Sequence, residues 1–111
     1  MSIQYTIKIT PQAESQMQEI AHYIAYELKN PDSAINLLST FENTIMKLEN
    51  FPERVPLTDK EPWRSKGIRH FSVKNFLIYF WIDKENLNVH VTAVIYEKRE
   101  QLSQLSSMNL E

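Results

Sequence analysis

The sequence contains no cysteine and only one glycine, Gly67, among its 111 residues. Without cysteine the chain forms no disulfide bond and has no thiolate to act as a nucleophile or a metal ligand. A single glycine is too few for the glycine-rich loops that bind phosphate groups or dinucleotides. The sequence therefore excludes thiol chemistry and the common nucleotide-binding loops.

Long apolar runs are also missing, because no stretch approaches 18 consecutive apolar residues. Residues 1–5 carry neither the basic nor the apolar segment of a secretory signal peptide. We therefore expect a cytoplasmic protein with no membrane partner. Apolar residues make up 42% of the chain and charged residues 23%, and these proportions predict a single globular domain over residues 1–111.

The net charge of −2 is distributed unevenly. Residues 11–50 contain six acidic side chains and two lysines, whereas residues 62–82 contain no acid and four basic side chains. This asymmetry is typical of a protein with two different partner surfaces, and it equally fits a solvated surface that binds nothing.

Two amphipathic helices are predicted in the first half of the chain, after a strand at residues 3–9. Thr10 and Asn30 are capping residues, and each precedes a proline, Pro11 or Pro31, that suits the first helical position. Apolar residues then recur at helical spacing through both segments. Because almost no loop separates the helices, they should form an antiparallel hairpin.

Three further strands are predicted near residues 68–73, 76–82 and 89–96. The fold class is therefore α+β, with the helix hairpin packed on a mainly antiparallel sheet and a tail or short helix at about residues 101–111. Lys74-Asn75 is typical of a two-residue hairpin turn in which asparagine takes a positive φ. Strand alternation predicts that the following side chains face the helices: Phe71, Val73, Phe76, Ile78, Phe80, Val91, Ala93 and Ile95.

The opposite face of the sheet is predicted to be open and rich in aromatic, imidazole and hydroxyl groups. Such a face suits stacked bases, a partner protein or residues 101–111 folding back, although ordinary cross-strand pairs on a solvated sheet give the same pattern. Its predicted members are His70, Ser72, Leu77, Tyr79, Trp81, His90, Thr92, Val94 and Tyr96.

The histidines do not predict a metal site, since His22 lies opposite the apolar stripe of the first helix and no carboxylate lies at ligand spacing from His70 or His90, and we expect no cofactor. Basic side chains flank the first hairpin and follow the last strand. Histidine, arginine and tyrosine could supply the base, cation and acid of metal-free RNA cleavage. The simpler interpretation of Arg69 and Lys74 is that they keep the sheet edge soluble.

The order of these elements and several sequence phrases resemble the RelE/ParE superfamily of bacterial toxins over about residues 3–100. The phrases are IAHYIA at 20–25, NPDSA at 30–34, FPER at 51–54, GIRHFSVKNFLIYF at 67–80 and VIYEKRE at 94–100. The resemblance implies the toxin half of a type II toxin–antitoxin pair, which a cognate antitoxin neutralises.

Two targets occur in this superfamily, DNA gyrase for the ParE branch and ribosome-bound mRNA for the RelE nucleases. The nucleases carry two lysines, an arginine and a C-terminal tyrosine at positions that fall near His70, Ser72, Leu77 and Leu105. Of the nuclease residues, only the arginine after the last strand has a match in this sequence, Arg99. The long helix hairpin, the FPER phrase and a pI near 5.9 resemble the ParE branch.

Gyrase inhibition is therefore the slightly favoured function. The alternative is mRNA cleavage with Arg99, His70 and Tyr96 as candidate catalytic residues, and an inactive interaction module of the same fold is a third possibility. We expect the antitoxin to wrap the helix hairpin and reach the sheet. The candidate antitoxin- or target-binding residues are Arg69, Lys74, Tyr79, Trp81, His90 and Lys98.

Overall fold

The computed structural model of the chain describes residues 3–97, which form two α-helices and a four-stranded sheet. Their order is β1 (Thr6–Ile9), α1 (Pro11–His22), α2 (Pro31–Met46), β2 (Arg69–Val73), β3 (Phe76–Asp83) and β4 (Asn88–Tyr96). The strands lie in the order β1-β4-β3-β2, with β1 parallel to β4 and the other pairs antiparallel. The predicted α+β fold is confirmed, while the predicted tail lies outside the described residues.

Both predicted helix starts are confirmed. Thr10 Oγ1 accepts a hydrogen bond from the Ala13 N–H at 3.2 Å, and Asn30 Oδ1 accepts one from the Ser33 N–H at 3.2 Å. These bonds satisfy amide groups that have no partner within the helix.

A π-helical turn at Tyr23–Glu27 extends α1, and the sequence pattern did not predict it. The Leu28 N–H donates to the Tyr23 carbonyl at 3.2 Å, one residue further along than in an α-helix. The wider turn changes the direction of the side chains, and Tyr23, Tyr26 and Leu28 are exposed.

The hairpin between β2 and β3 has the predicted register, with Val73 paired to Phe76 and Phe71 to Ile78. The predicted turn geometry is wrong in one detail, because Lys74 rather than Asn75 has the positive φ, 57°. The favoured two-residue hairpin turns require a positive φ at their first central residue, whatever its type.

A bulge in β4 overturns part of the predicted core face. Pairing with β3 skips Thr92, so the alternation of side chains reverses there. Val94 therefore packs under the helices, and Ala93 and Ile95 pack on the other face, opposite to their predicted positions. The hydroxyl of Thr10 donates to the Thr92 carbonyl at 3.3 Å and so satisfies a polar group within the bulge.

The helix-facing core is close to the prediction. Phe41, Ile78 and Phe80 are fully buried, whereas Phe71 and Phe76, which were predicted to face the helices, are only half-buried. The edge position of β2 and the terminal position of Phe76 in β3 leave these two rings fewer neighbours.

The opposite face of the sheet is not open, contrary to the prediction. Trp63 and Ile68, from the segment before β2, pack against Leu77, Tyr79 and Ile95. Tyr79 is consequently only 1% exposed. The sheet is thus covered on both sides, and its aromatic face is largely a second core.

The Thr10 hydroxyl forms hydrogen bonds both to the β4 bulge and to the start of α1. Removing this hydroxyl therefore tests how much it contributes to holding α1 on the sheet. We expect Thr10→Val to lower the free energy of unfolding by about 1–3 kcal/mol, because a buried carbonyl and a helix amide lose their partner. Urea denaturation measures the change. Thr10→Ser keeps the hydroxyl and should stay within about 1 kcal/mol of the original protein; equal losses for both variants would contradict this role.

Candidate functional site

His70 lies on the face of the sheet that the Trp63 segment covers. Its Nδ1 is 2.9 Å from the Thr58 hydroxyl, and its ring centre is 5.0 Å from that of Tyr79. Burial lowers the pKa of the imidazole, and the negative charge of Asp59 opposes this shift. The ring is therefore held in one orientation and is largely uncharged at neutral pH, as a general base must be.

Tyr96, the second candidate catalytic residue, lies on the other side of the sheet. Its ring is 5.5 Å from that of Phe76, which packs against the helix-facing core through Phe41. The prediction placed Tyr96 on the same face as His70, and the bulge in β4 reverses that placement. The structure therefore does not bring these two side chains together, and Arg99 lies outside the described residues.

Arg69 is engaged with the segment that follows α2. Its Nη1 donates to the carbonyl oxygens of Glu53, at 3.2 Å, and of Val55. The Tyr5 hydroxyl donates to the Glu53 carboxylate at 2.7 Å, and this bond lowers the pKa of Glu53. Arg69 thus fixes the turn at Pro52–Arg54 against the sheet, and its predicted binding role stays a prediction.

The other candidate binding residues do not converge on one place. Trp81 and His90 are stacked at 4.5 Å with a 12° angle between their rings, and both are half-buried. Lys74 is exposed at the β2–β3 turn, and Tyr79 is buried. Lys98 lies outside the described residues.

A groove of about 520 Å³ runs between α1 and α2 on the outer side of the helix hairpin. Small residues, Ala21, Ala25 and Ala34, line it. Tyr26 and Ile35 also line it and are 68% and 65% exposed. We call it the interhelix groove; exposed apolar side chains around a channel of small residues are suited to binding an apolar helix face.

A second groove, of about 950 Å³, lies between α1 and the end of β4. We call it the α1–β4 groove. Gln16 lies at its edge, and its Oε1 accepts a hydrogen bond from the Val94 N–H at 2.8 Å. The lining is mainly apolar and includes Ile20, Tyr23, Ile24, Leu28, Phe76, Val94, Ile95 and Tyr96.

Within residues 3–97, no three histidine or acidic side chains are grouped so that they could hold a metal ion. No helix in this part of the chain has the length and apolar composition needed to cross a membrane.

Sequence reasoning missed three features of these surfaces. Trp63 falls outside every predicted helix and strand, although a large apolar residue in such a segment is a signal of burial; Ile68 is at the start of a predicted strand, and its part in covering the sheet is not predicted. Ile35 falls off the apolar stripe of α2, which was a signal of an exposed apolar surface. Thr58 carried no signal, since only the fold brings it to His70.

The helix hairpin on a mixed four-stranded sheet defines a small α+β toxin fold of the RelE/ParE class. The family model described as the ParE toxin of the type II toxin–antitoxin system parDE matches residues 7–101. The chain belongs to this ParE toxin family. No curated protein sequence matches the chain.

Two solved structures have a similar fold. A chromosomal ParDE toxin–antitoxin system from P. aeruginosa contains a chain with a TM-score of 0.67 and 16% identity, and the match covers 86% of this chain and 98% of that one. The toxin–antitoxin complex RelBE2 from Mycobacterium tuberculosis gives a TM-score of 0.56 at 16% identity, with 85% and 99% covered. At this identity the likeness concerns the fold alone.

The environment of His70 leads to a prediction about its titration. We expect NMR titration to give His70 a pKa below the ordinary value near 6.5, and Asp59→Asn to lower that pKa further because it removes an attractive negative charge. Since folding favours the neutral ring, the contribution of His70 to stability is present above about pH 6.5 and is lost as the pH falls through its folded pKa. Asp83→Asn is the control and should leave the pKa of His70 unchanged; a rise with Asp59→Asn would contradict the assignment.

Proposed function

We propose that this protein is the toxin of a type II toxin–antitoxin pair, that it arrests growth by inhibiting DNA gyrase, and that a cognate antitoxin neutralises it. Membership of the ParE toxin family supports the toxin role. The separation of His70 and Tyr96 on opposite faces of the sheet is the observation that favours gyrase over mRNA as the target. A toxin that acts on gyrase would work in the cytoplasm.

Two further features argue against a nuclease site. Leu77 lies near the position where the RelE nucleases carry an arginine. Its side chain is only 6% exposed and packs against Trp63. A guanidinium there would be buried without a partner, which is unfavourable. The acidic pI near 5.9 also disfavours a protein that must bind the phosphate backbone of RNA.

The mRNA alternative rests on one specific observation, the environment of His70. A half-buried, uncharged imidazole whose Nδ1 is held by Thr58 could accept the proton of a ribose 2′-hydroxyl at its other nitrogen. Arg99 would then stabilise the charge of the transition state. The target experiment therefore includes variants of both residues.

The interhelix groove is the surface we assign to the antitoxin. Its apolar lining and the large exposed fractions of Tyr26 and Ile35 suit the apolar face of a partner helix. Both similar structures are of toxin–antitoxin systems or complexes, which supports a partner of this kind. Tyr79 is too deeply buried to be a direct contact, so the hairpin carries the interface in this proposal.

The target is tested by inducing the protein in bacteria and following DNA and protein synthesis separately. We expect DNA synthesis to stop first, and the purified protein to inhibit supercoiling of relaxed plasmid by gyrase. His70→Gln and Arg99→Ala should keep most of this inhibition, because no chemical step depends on them. Lys84→Ala, which removes an exposed cation from the β3–β4 turn, is the control for Arg99.

The nuclease alternative gives a different outcome in the same experiment. Protein synthesis would stop first, transcripts on ribosomes would be cut, and Arg99→Ala would reduce cleavage by about 10²–10³-fold. If induction arrests neither process, the protein is an interaction module of this fold and not an active toxin.

The antitoxin surface is tested with a charge placed in the interhelix groove. We expect Ile35→Asp to weaken binding of the proposed cognate antitoxin by about ten- to hundredfold, as for a buried contact residue. Calorimetry measures the affinity. Asn36→Asp adds a carboxylate to the neighbouring exposed position of α2 and should leave the affinity within about threefold of the original. Equal effects of the two variants on the affinity would show that the antitoxin binds elsewhere on the protein.

A further inference from the structure

The α1–β4 groove is the larger of the two grooves, at about 950 Å³, and residues 3–97 leave it open. Tyr23 and Leu28 in its wall are 56% and 58% exposed. Covering these exposed apolar side chains, by another segment of the chain or by a partner, is favourable because it removes apolar surface from water. The position of the groove relative to the end of β4 indicates that the cover is a segment of the same chain.

The described chain ends at the groove. Tyr96, the last residue of β4, lines it, and the N–H of Glu97 donates to the Asn75 carbonyl at 2.8 Å. This bond fixes the point from which residues 98–111 continue. Leu102 follows Tyr96 by six residues, a span of about 9–20 Å for helical or extended backbone, which is within reach of the α1 wall.

The composition of residues 98–111 matches the groove. They contain no proline or glycine, and their apolar residues are Leu102, Leu105, Met108 and Leu110. Leucines three residues apart lie on one side of a helical turn. A segment with this pattern could place both leucines in one groove.

Charge gives a second, independent match. Among the described residues that line the groove, Glu19 is the only acidic or basic one. The C-terminal segment begins with Lys98 and Arg99, and Glu100 follows them, so these three residues carry a net charge of +1. This charge favours the C-terminal segment over an acidic partner peptide, which Glu19 would repel.

We propose that residues 98–111 occupy the α1–β4 groove of their own chain, with Leu102 and Leu105 packed between α1 and β4 and the cations of residues 98–99 beside Glu19. The occupant is thus part of the toxin itself, and the interhelix groove remains available to a partner. This inference does not depend on the target of the toxin or on the identity of its antitoxin.

The absence of cysteine makes cross-linking a direct test on the full-length protein. Ile24→Cys combined with Leu105→Cys should form an intramolecular disulfide on mild oxidation, detected by mass spectrometry of the monomer. Glu42→Cys combined with Leu105→Cys is the control, because Glu42 is exposed on α2 and does not line the groove. Equal yields for the two pairs, or cross-linking mainly between two molecules, would overturn the proposal.

Hydrogen exchange provides a measurement without an engineered bond. In full-length Leu105→Asp, the backbone amides of residues 20–28 should exchange roughly tenfold faster or more, because the groove loses the apolar side chain that covers it. Gln104→Asp adds the same charge one residue away and should change these rates by less than about twofold. Unchanged exchange in Leu105→Asp would overturn the proposal, as would protection of these amides that arises only when the antitoxin is added.

Discussion

The buried hydroxyl of Thr10 joins the helix hairpin to the sheet, and most of the architecture depends on it. It accepts a hydrogen bond from the Ala13 N–H at the start of α1 and donates one to the carbonyl of Thr92 in the β4 bulge. The Thr10 N–H also donates to the Val91 carbonyl at 2.9 Å. One residue therefore caps a helix and stabilises a bulge, and the bulge decides which β4 side chains reach each face of the sheet.

Because both faces of the sheet are covered, much of the exposed apolar surface lies on the helices. Trp63 and Ile68 bury the centre of the aromatic face, where the sequence predicted an open platform. Large exposed apolar side chains lie instead along the helix hairpin, at Tyr23, Tyr26 and Ile35. The π-helical turn contributes the two tyrosines, so a local departure from α-helical geometry shapes both grooves.

The candidate catalytic residues within residues 3–97 do not lie together. Burial lowers the pKa of His70, and Thr58 contacts its Nδ1, whereas Tyr96 lies on the other side of the sheet against Phe76. Arg69 is held by backbone carbonyls of the turn after α2. Metal-free cleavage of a phosphodiester requires a base, a cation and an acid around one phosphate. Among the described residues, His70 and Tyr96 are not placed around one such site.

The sequence alone determined the features that depend on neighbouring residues. Capping side chains followed by proline set both helix starts, and Lys74-Asn75 set the β2–β3 register, because these signals act over a few residues. The bulge at Thr92, the cover provided by Trp63 and the contact between Thr58 and His70 were decided only by the tertiary structure. Thr10 and Thr92 are 82 residues apart, and no local sequence pattern around either residue predicts the hydrogen bond between them.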